Sequence, residues 1–400
     1  MNKESSKIIH TMVEAPGAEN SAPESFTVEI DPSLKHESAD GILHAFPPIL
    51  IADPEQMPWP YIRGPKLVPL PDGRWVCVFL TGGPAEPHVE NEVMASVSLD
   101  GGRTWPKPIR LFKSNLRRCL PASVYSFSGS PGIFVATMIP DSYFLEQRLH
   151  LSWYDQESDK WSVPTLVRGC PPVLPMRGFA ASDGSAVFPC FWAEGCDQIR
   201  PGDLGDVPPQ WQTDWAFSDT KREYRQVCGV LVSEDGGETF RVRGYVAHPE
   251  VNLWEPTAVE VAPGHYVMLI RAEATGVLYR SETRDSGETW TPPEPTDILN
   301  PSTKPVFLKI GDTILLFHNP NPGVGFYKRK QLEVWISRDG LKTWSDKIPL
   351  ANASRSSRPV CYPDPVYLPE SHEVAVLIDT GRKVHMQRIP CDYWNIARPE

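Results

Sequence analysis

Apolar residues along this chain recur in short runs with period two, as in Val93-Met94-Ala95-Ser96-Val97 and Leu332-Glu333-Val334-Trp335-Ile336. That alternation predicts β-strands, and no long amphipathic helix competes with it. Such runs end in one recurring phrase. It reads Ser98-Leu99-Asp100-Gly101-Gly102-Arg103-Thr104-Trp105, then Ser233-Glu234-Asp235-Gly236-Gly237-Glu238-Thr239-Phe240. It returns as Thr283-Arg284-Asp285-Ser286-Gly287-Glu288-Thr289-Trp290 and as Ser337-Arg338-Asp339-Gly340-Leu341-Lys342-Thr343-Trp344. Asp-Gly followed by Gly supplies the positive φ of a tight hairpin, and the Asp side chain can bond the turn backbone. The closing Thr-Trp starts the next strand, with its ring free to pack under the hairpin.

Counted from first residue to first residue, the boxes lie 135, 50 and 54 residues apart. The first interval reads as three periods of about 45 residues, a spacing typical of four-stranded propeller blades. A decayed copy from Ser152 to Trp161 begins 54 residues after the first box. These spacings predict an all-β chain: a six-bladed β-propeller of four-stranded antiparallel blades over residues 45–400, preceded by an extended or disordered arm over 1–44. The boxes themselves read as folding devices on the rim, not as chemistry.

Composition narrows the class of ligand. Forty-three prolines and 28 glycines punctuate short strands in a 400-residue chain that is 40% hydrophobic. A net charge of −11 argues against a nucleic-acid surface, so an anionic ligand requires a local cationic cluster. No run of about eighteen apolar residues is present, which argues against a membrane helix. The polar N-terminus lacks the apolar core of a secretory signal and favours a cytoplasmic address, secretion with a removed leader being the alternative. The eight cysteines, Cys190 and Cys196 being the closest pair, have no metal-ligand spacing and read as reduced, mostly buried thiols. Asn352-Ala353-Ser354 fits a glycosylation sequon.

Beyond the boxes, the stretch Ile62-Arg63-Gly64-Pro65-Lys66-Leu67-Val68-Pro69-Leu70-Pro71-Asp72-Gly73 resembles the opening signature of the sialidase (neuraminidase) superfamily, whose members carry Asp-box (BNR) repeats. Gly64 stands where the family has an apolar residue, and Lys66 where it usually has a small one. The resemblance spans the chain from about residue 45 and implies a glycoside hydrolase that removes terminal sialic acids. It implies an arginine triad for the sugar carboxylate, because a planar guanidinium grips a carboxylate with two charge-assisted bonds. The matching residues are Arg63, Arg271 after Val267-Met268-Leu269-Ile270, and Arg329 before Gln331-Leu332-Glu333-Val334. Lys328 and Lys330 flank Arg329.

The same resemblance implies a tyrosine nucleophile at Tyr362, with Tyr367 as nearest competitor, and a glutamate at Glu255 that takes the phenol proton. A sialoside's anomeric carbon carries a carboxylate, so a neutral phenol approaches it more readily than an anion. The general acid falls at Glu86, where the family usually has aspartate, with His88 and Glu90 close enough to substitute. The implied scheme is retaining and needs no metal or organic cofactor. Trp192, Trp211 and Trp215, in the segment 190–226, suit either sugar platforms or packing between blades. Two other readings stand beside it: a related glycosidase acting on a uronic acid or another nonulosonate, and a non-catalytic propeller binding a glycan or protein.

Overall fold

A computed structural model of the protein describes residues 30–399 except 58, 60, 84–85, 140–146, 168–171 and 195–224. The strands fall into six antiparallel sheets arranged as a six-bladed β-propeller. Blade one comprises Arg63–Pro69, Trp75–Thr81, Glu92–Ser98 and Ile109–Phe112. Blade two comprises Arg118–Phe127, Ser130–Met138 and Arg148–Asp155, with the short outer pieces Lys160–Trp161 and Thr165–Leu166. Blade three opens with the fragments Leu174–Pro175 and Phe179–Ala180, followed by Ala186–Glu194, Arg225–Ser233 and Arg241–Val246. Blade four is Leu253–Ala262, His265–Ala272, Val277–Thr283 and Glu294–Leu299, and blade five is Val306–Ile310, Thr313–His318, Gln331–Ser337 and Asp346–Asn352.

Blade six takes Cys361–Leu368, Glu373–Asp379 and Val384–Pro390 from the C-terminal part of the chain, and its outer strand, Ile49–Ala52, from the N-terminal part. Ala52 lies opposite Val384 and Ile49 opposite Met386, so backbone hydrogen bonds close the ring. Just upstream, Leu43–His44 pairs with Asp346–Asn352 and His36–Glu37 pairs with Leu43–His44, which extends blade five outwards. One stretch assigned to the arm therefore belongs to a sheet; residues 1–29 of the arm lie outside the described residues. Gln387 joins the two edges, accepting from the Phe46 amide at 2.9 Å and donating to the Leu350 carbonyl at 3.0 Å.

The core lies between blades, so the middle strands are apolar on both faces. Val374, Val376 and Ile378 face Leu332, Val334 and Ile336 of blade five. Ala375 and Leu377, on the opposite face of the same strand, pack with Leu67, Cys77 and Phe79 of blade one. Trp75–Thr81 is buried throughout, which is why it reads as a continuous apolar run and not as an alternation. Cys77, Cys119, Cys228, Cys361 and Cys391 are buried free thiols, and Cys190 is buried as well. Asn352 of the sequon is buried within its strand, where its amide donates to Gln331 Oε1 at 3.3 Å. Among the described residues no helix is long and apolar enough to cross a membrane.

Each box joins the third strand of a blade to its fourth. Asp100 Oδ1 accepts the amides of Arg103 and Thr104 at 3.0 and 2.9 Å, and Oδ2 accepts the Thr104 hydroxyl at 2.7 Å. Asp235, Asp285 and Asp339 repeat the contact with the following threonine. Gly102 has φ 84°, and a Cβ there would meet the Trp75 ring at 2.4 Å. At the equivalent place in the fourth box Leu341 holds φ 65° and sinks its side chain between blades four and five. The first two full boxes lie on blades one and three, so the 135-residue interval spans two blades and not three periods. Residues 195–224, between two strands of blade three, account for the excess length.

The box carboxylates are held well below the usual aspartate range. Hydrogen bonds from Thr239 and Thr343 first of all bring Asp235 and Asp339 to about 2, and those from Thr283 and Thr289 do the same for Asp285. A depressed folded-state pKa gives stability that is present above pH about 4 and is lost as pH falls through about 2. Thermal melts should therefore show Tm dropping steeply between pH 4 and 2. Asp285→Asn should lower Tm at neutral pH and flatten that acid slope; an unchanged slope would contradict this origin.

Candidate functional site

Each blade begins at its innermost strand, and the innermost strands neighbour one another around the ring. In an antiparallel sheet the start of strand one lies beside the end of strand two and the start of strand three. Inner-strand starts and second-to-third connections therefore share one face of the propeller, and the boxes lie on the other. Arg63, Glu255 and Tyr362 sit at inner-strand starts, Arg271 at the end of a second strand, and Glu86 and Arg329 in second-to-third connections.

A local device recurs at three of the inner strands. Arg63-Gly64-Pro65, Trp254-Glu255-Pro256 and Cys361-Tyr362-Pro363 each coincide with a register shift against the second strand. The central residues have φ 55°, 39° and 49°. Proline cannot donate to the ladder and interrupts pairing, and the bulge turns the preceding residue out of the pleat. Glu255 and Tyr362 thereby hold a conformation that costs bulky residues roughly 1–3 kcal/mol each.

Arg271 Nη1 donates to Glu255 Oε2 at 2.7 Å and to Tyr362 Oη at 3.3 Å, so one guanidinium nitrogen bridges the carboxylate and the phenol. The Arg329 guanidinium lies 5.4 Å from the centre of the Tyr362 ring and 5.5 Å from that of Phe326. Arg63 lies 4.4 Å from the same Phe326 ring and 5.3 Å from Tyr61. The Tyr61 hydroxyl donates to Glu86 Oε2 at 2.9 Å. An unbroken line of contacts thus joins Glu255, Arg271, Tyr362, Arg329, Arg63 and Glu86.

The flanking candidates are placed elsewhere. Lys330 donates to the carbonyls of Ser356 and Arg358, leaving Arg329 to face Tyr362. Tyr367 lies near the far end of its strand, its hydroxyl 3.1 Å from His372 Nδ1. His88 folds back on its own loop, accepting the Glu90 amide at 3.1 Å. Trp192 packs beside Tyr245 at the edge of the apolar core, whereas Trp211 and Trp215 lie outside the described residues.

Several partners were not anticipated from sequence. Arg118 at the start of blade two donates to Glu86 Oε1 at 3.1 Å; its signal is an arginine just ahead of an apolar strand, as at Arg63. Phe326 separates Arg63 from Arg329, and the Arg271 guanidinium lies 5.3 Å from the Trp254 ring. Asp379 accepts from Gly64 N at 3.0 Å and lies 3.5 Å from Arg63 Nη1. Below them Asp364, fully buried, takes Arg177 Nε and Nη2 at 3.0 and 2.8 Å and the Leu67 amide at 2.9 Å. No cluster of metal-ligating side chains occurs among the described residues.

The charges set the protonation states. Burial raises the Glu255 carboxyl, but Arg271 above all, then Lys304 and Arg329, outweigh it and leave the group below its usual range. Burial and Glu255 push the Tyr362 phenol well above its ordinary value, against the opposing pull of Arg271 and Arg329. At rest the pair is a carboxylate and a neutral phenol. Arg329 has no ion-pair partner among the described residues; its Nη2 donates to the Ser302 carbonyl, and its buried Nε is unpaired.

Three guanidinium groups, a half-buried phenol and a half-buried carboxylate thus gather on one face of the propeller. The family model described as BNR repeat-like domain matches residues 147–374, and the chain belongs to that family, within the sialidase superfamily with BNR repeats. It is 26% identical over 304 residues to a sialidase of Bacteroides fragilis, covering 64% of this chain and 48% of that protein. The chain thus spans about half the length of this curated relative. Among solved structures it is similar to the Hadza microbial sialidase Hz136, with TM-score 0.64, 19% identity, and coverage of 83% of this chain and 66% of that one. It is also similar to the Trypanosoma rangeli sialidase solved with sialic acid, with TM-score 0.58, 15% identity, and coverage of 88% and 56%. At these identities the structural likeness concerns the fold.

Removing one partner of a buried ion pair strands the other, at a cost of about 3–5 kcal/mol. Arg177→Met should therefore lower unfolding stability by about 3 kcal/mol, read from urea denaturation. A loss under about 0.5 kcal/mol would show that the Leu67 amide alone satisfies Asp364.

Proposed function

We propose that this protein is a retaining exo-glycosidase that hydrolyses a terminal sialic acid or closely related acidic sugar. The observation that carries the reading is the Arg271 nitrogen shared by Glu255 and Tyr362, with Arg329 against the phenol ring and Arg63 beyond it. In this scheme Arg63, Arg271 and Arg329 clamp the sugar carboxylate, and Arg329 brings the least internally committed guanidinium. Glu255, an anion at rest, receives the phenol proton as Tyr362 Oη bonds to the anomeric carbon. The glycosidic C–O bond breaks as Glu86 protonates the leaving oxygen. Water then attacks the anomeric carbon, Glu86 takes its proton, and Tyr362 leaves and recovers its proton from Glu255.

Tyrosine suits this role because the anomeric carbon bears a carboxylate, and a neutral nucleophile avoids the like-charge approach. A second reading keeps the machinery and changes the sugar. Lys66, buried where the family usually has a small residue, and Glu86, tied to Arg118, alter the floor and the leaving-group side of the site, which favours testing uronides as well.

The test is turnover of aryl sialosides and aryl uronides by purified protein. Sialoside hydrolysis should vanish in Tyr362→Phe, and kcat/KM should fall about a hundredfold or more in Arg271→Ala. Glu86→Gln should cost about 10²–10⁴-fold on natural glycosides and far less on activated aryl ones, whose leaving groups need no proton. Turnover confined to uronides would select the second reading, and turnover unaffected by Tyr362→Phe would remove both.

A further inference from the structure

Beneath Tyr362 lie two lysines that the scheme above does not use. Lys66, in the bulge of blade one, donates to the Gly64 carbonyl at 3.0 Å. Lys304, in the connection entering blade five, holds its ammonium 5.6 Å from the centre of the Tyr362 ring. They are 5% and 4% exposed. The charged groups facing them are Asp364 from blade six, Glu255 from blade four and Arg177 from blade three.

Asp364 is already committed to Arg177 and the Leu67 amide, so it leaves the lysine charge only partly balanced. Burial first, then the charge of Lys304, lowers Lys66 to about 7, and burial also lowers Lys304. A like-charged pair is a poor choice for tying blades together, since an apolar pair of the same volume would do so without repulsion.

We propose that Lys304 is a positioning residue that acts through Tyr362 and Glu255, holding positive charge beside the phenol as its proton leaves. The proposal rests on the reading of Tyr362 as nucleophile. Negative charge moves onto Tyr362 Oη as its proton passes to Glu255, and returns there when the sugar–tyrosine bond breaks. An ammonium fixed on that side favours both moments and needs no contact with the sugar.

The decisive experiment requires no substrate. Tyr362 is replaced by 3,5-difluorotyrosine, a more acidic phenol, and its ¹⁹F resonance is followed against pH. In an otherwise unchanged protein the resonance should titrate with one phenol midpoint. Lys304→Met should raise the phenol midpoint by about one pH unit, and Lys304→Arg should leave it within a few tenths. On an aryl sialoside, Lys304→Met should lower kcat about tenfold with KM within about threefold.

An unchanged midpoint in folded Lys304→Met overturns the proposal, whatever its melting temperature. Should Lys304→Met not fold, Lys304→Gln decides by the same titration: an unchanged phenol midpoint in that variant overturns the proposal. Absence of sialoside turnover in the parent protein would sink the glycosidase reading while leaving the fluorine titration to decide on Lys304.

Discussion

Everything at the mouth of this propeller depends on holding like charges together. Arg63, Arg271, Arg329, Lys66 and Lys304 converge on a space that three carboxylates, Glu255, Asp364 and Asp379, partly neutralise. The fold meets the repulsion by division of labour. Asp379 and Asp364 are buried and committed to backbone amides, and they anchor Arg63 and Arg177 from below. Glu255 remains in the mouth, shared with Arg271. Aromatic rings do the remaining work: Phe326 sits between Arg63 and Arg329, and Tyr362 lies under Arg329, so guanidinium groups with no acid or only a distant one lie against aromatic rings. The excess of positive charge is local, in a chain whose net charge is −11.

The propeller was legible because its signals are local. A period-two run, an Asp-Gly turn and a Thr-Trp restart are each contained within about a dozen residues, and four copies reinforce one another. The candidate residues could be named for a related reason: Arg63, Arg271 and Glu255 stand at fixed offsets from strands and boxes, and the structure gathers them with Tyr362, Arg329 and Glu86 into one line of contacts. Their chemical roles are a separate matter, and those rest on the proposed function.

What sequence left obscure is non-local. The partnership of Arg118 with Glu86 joins two blades, and that of Asp364 with Arg177 joins residues nearly two hundred positions apart. No spacing rule relates such residues. The boxes also misled by their intervals, because the segment 195–224 stretches blade three and imitates an additional period. The x-Pro bulges were legible in principle. Gly64-Pro65, Glu255-Pro256 and Tyr362-Pro363 repeat one dipeptide grammar at three inner strands, and a residue ahead of proline ordinarily prefers extended geometry. Positive φ in that setting marks positions where surrounding structure overrides local preference.

The ring closure has a kinetic consequence. The blade that carries Tyr362 gains its outer strand from Ile49–Ala52, which must wait for Val384–Pro390, more than 300 residues later. On a ribosome, blades one to five can assemble in order as they emerge, whereas the sixth is completed only once Val384–Pro390 has emerged. Pairings of such high contact order form late, because the entropy of closing so large a loop is lost before any contact is gained. The phenol, supplied by the last blade, thus meets the carboxylate and guanidinium of blade four only at the end of folding. A nascent chain carries most of the cationic mouth well before it carries the group that mouth surrounds.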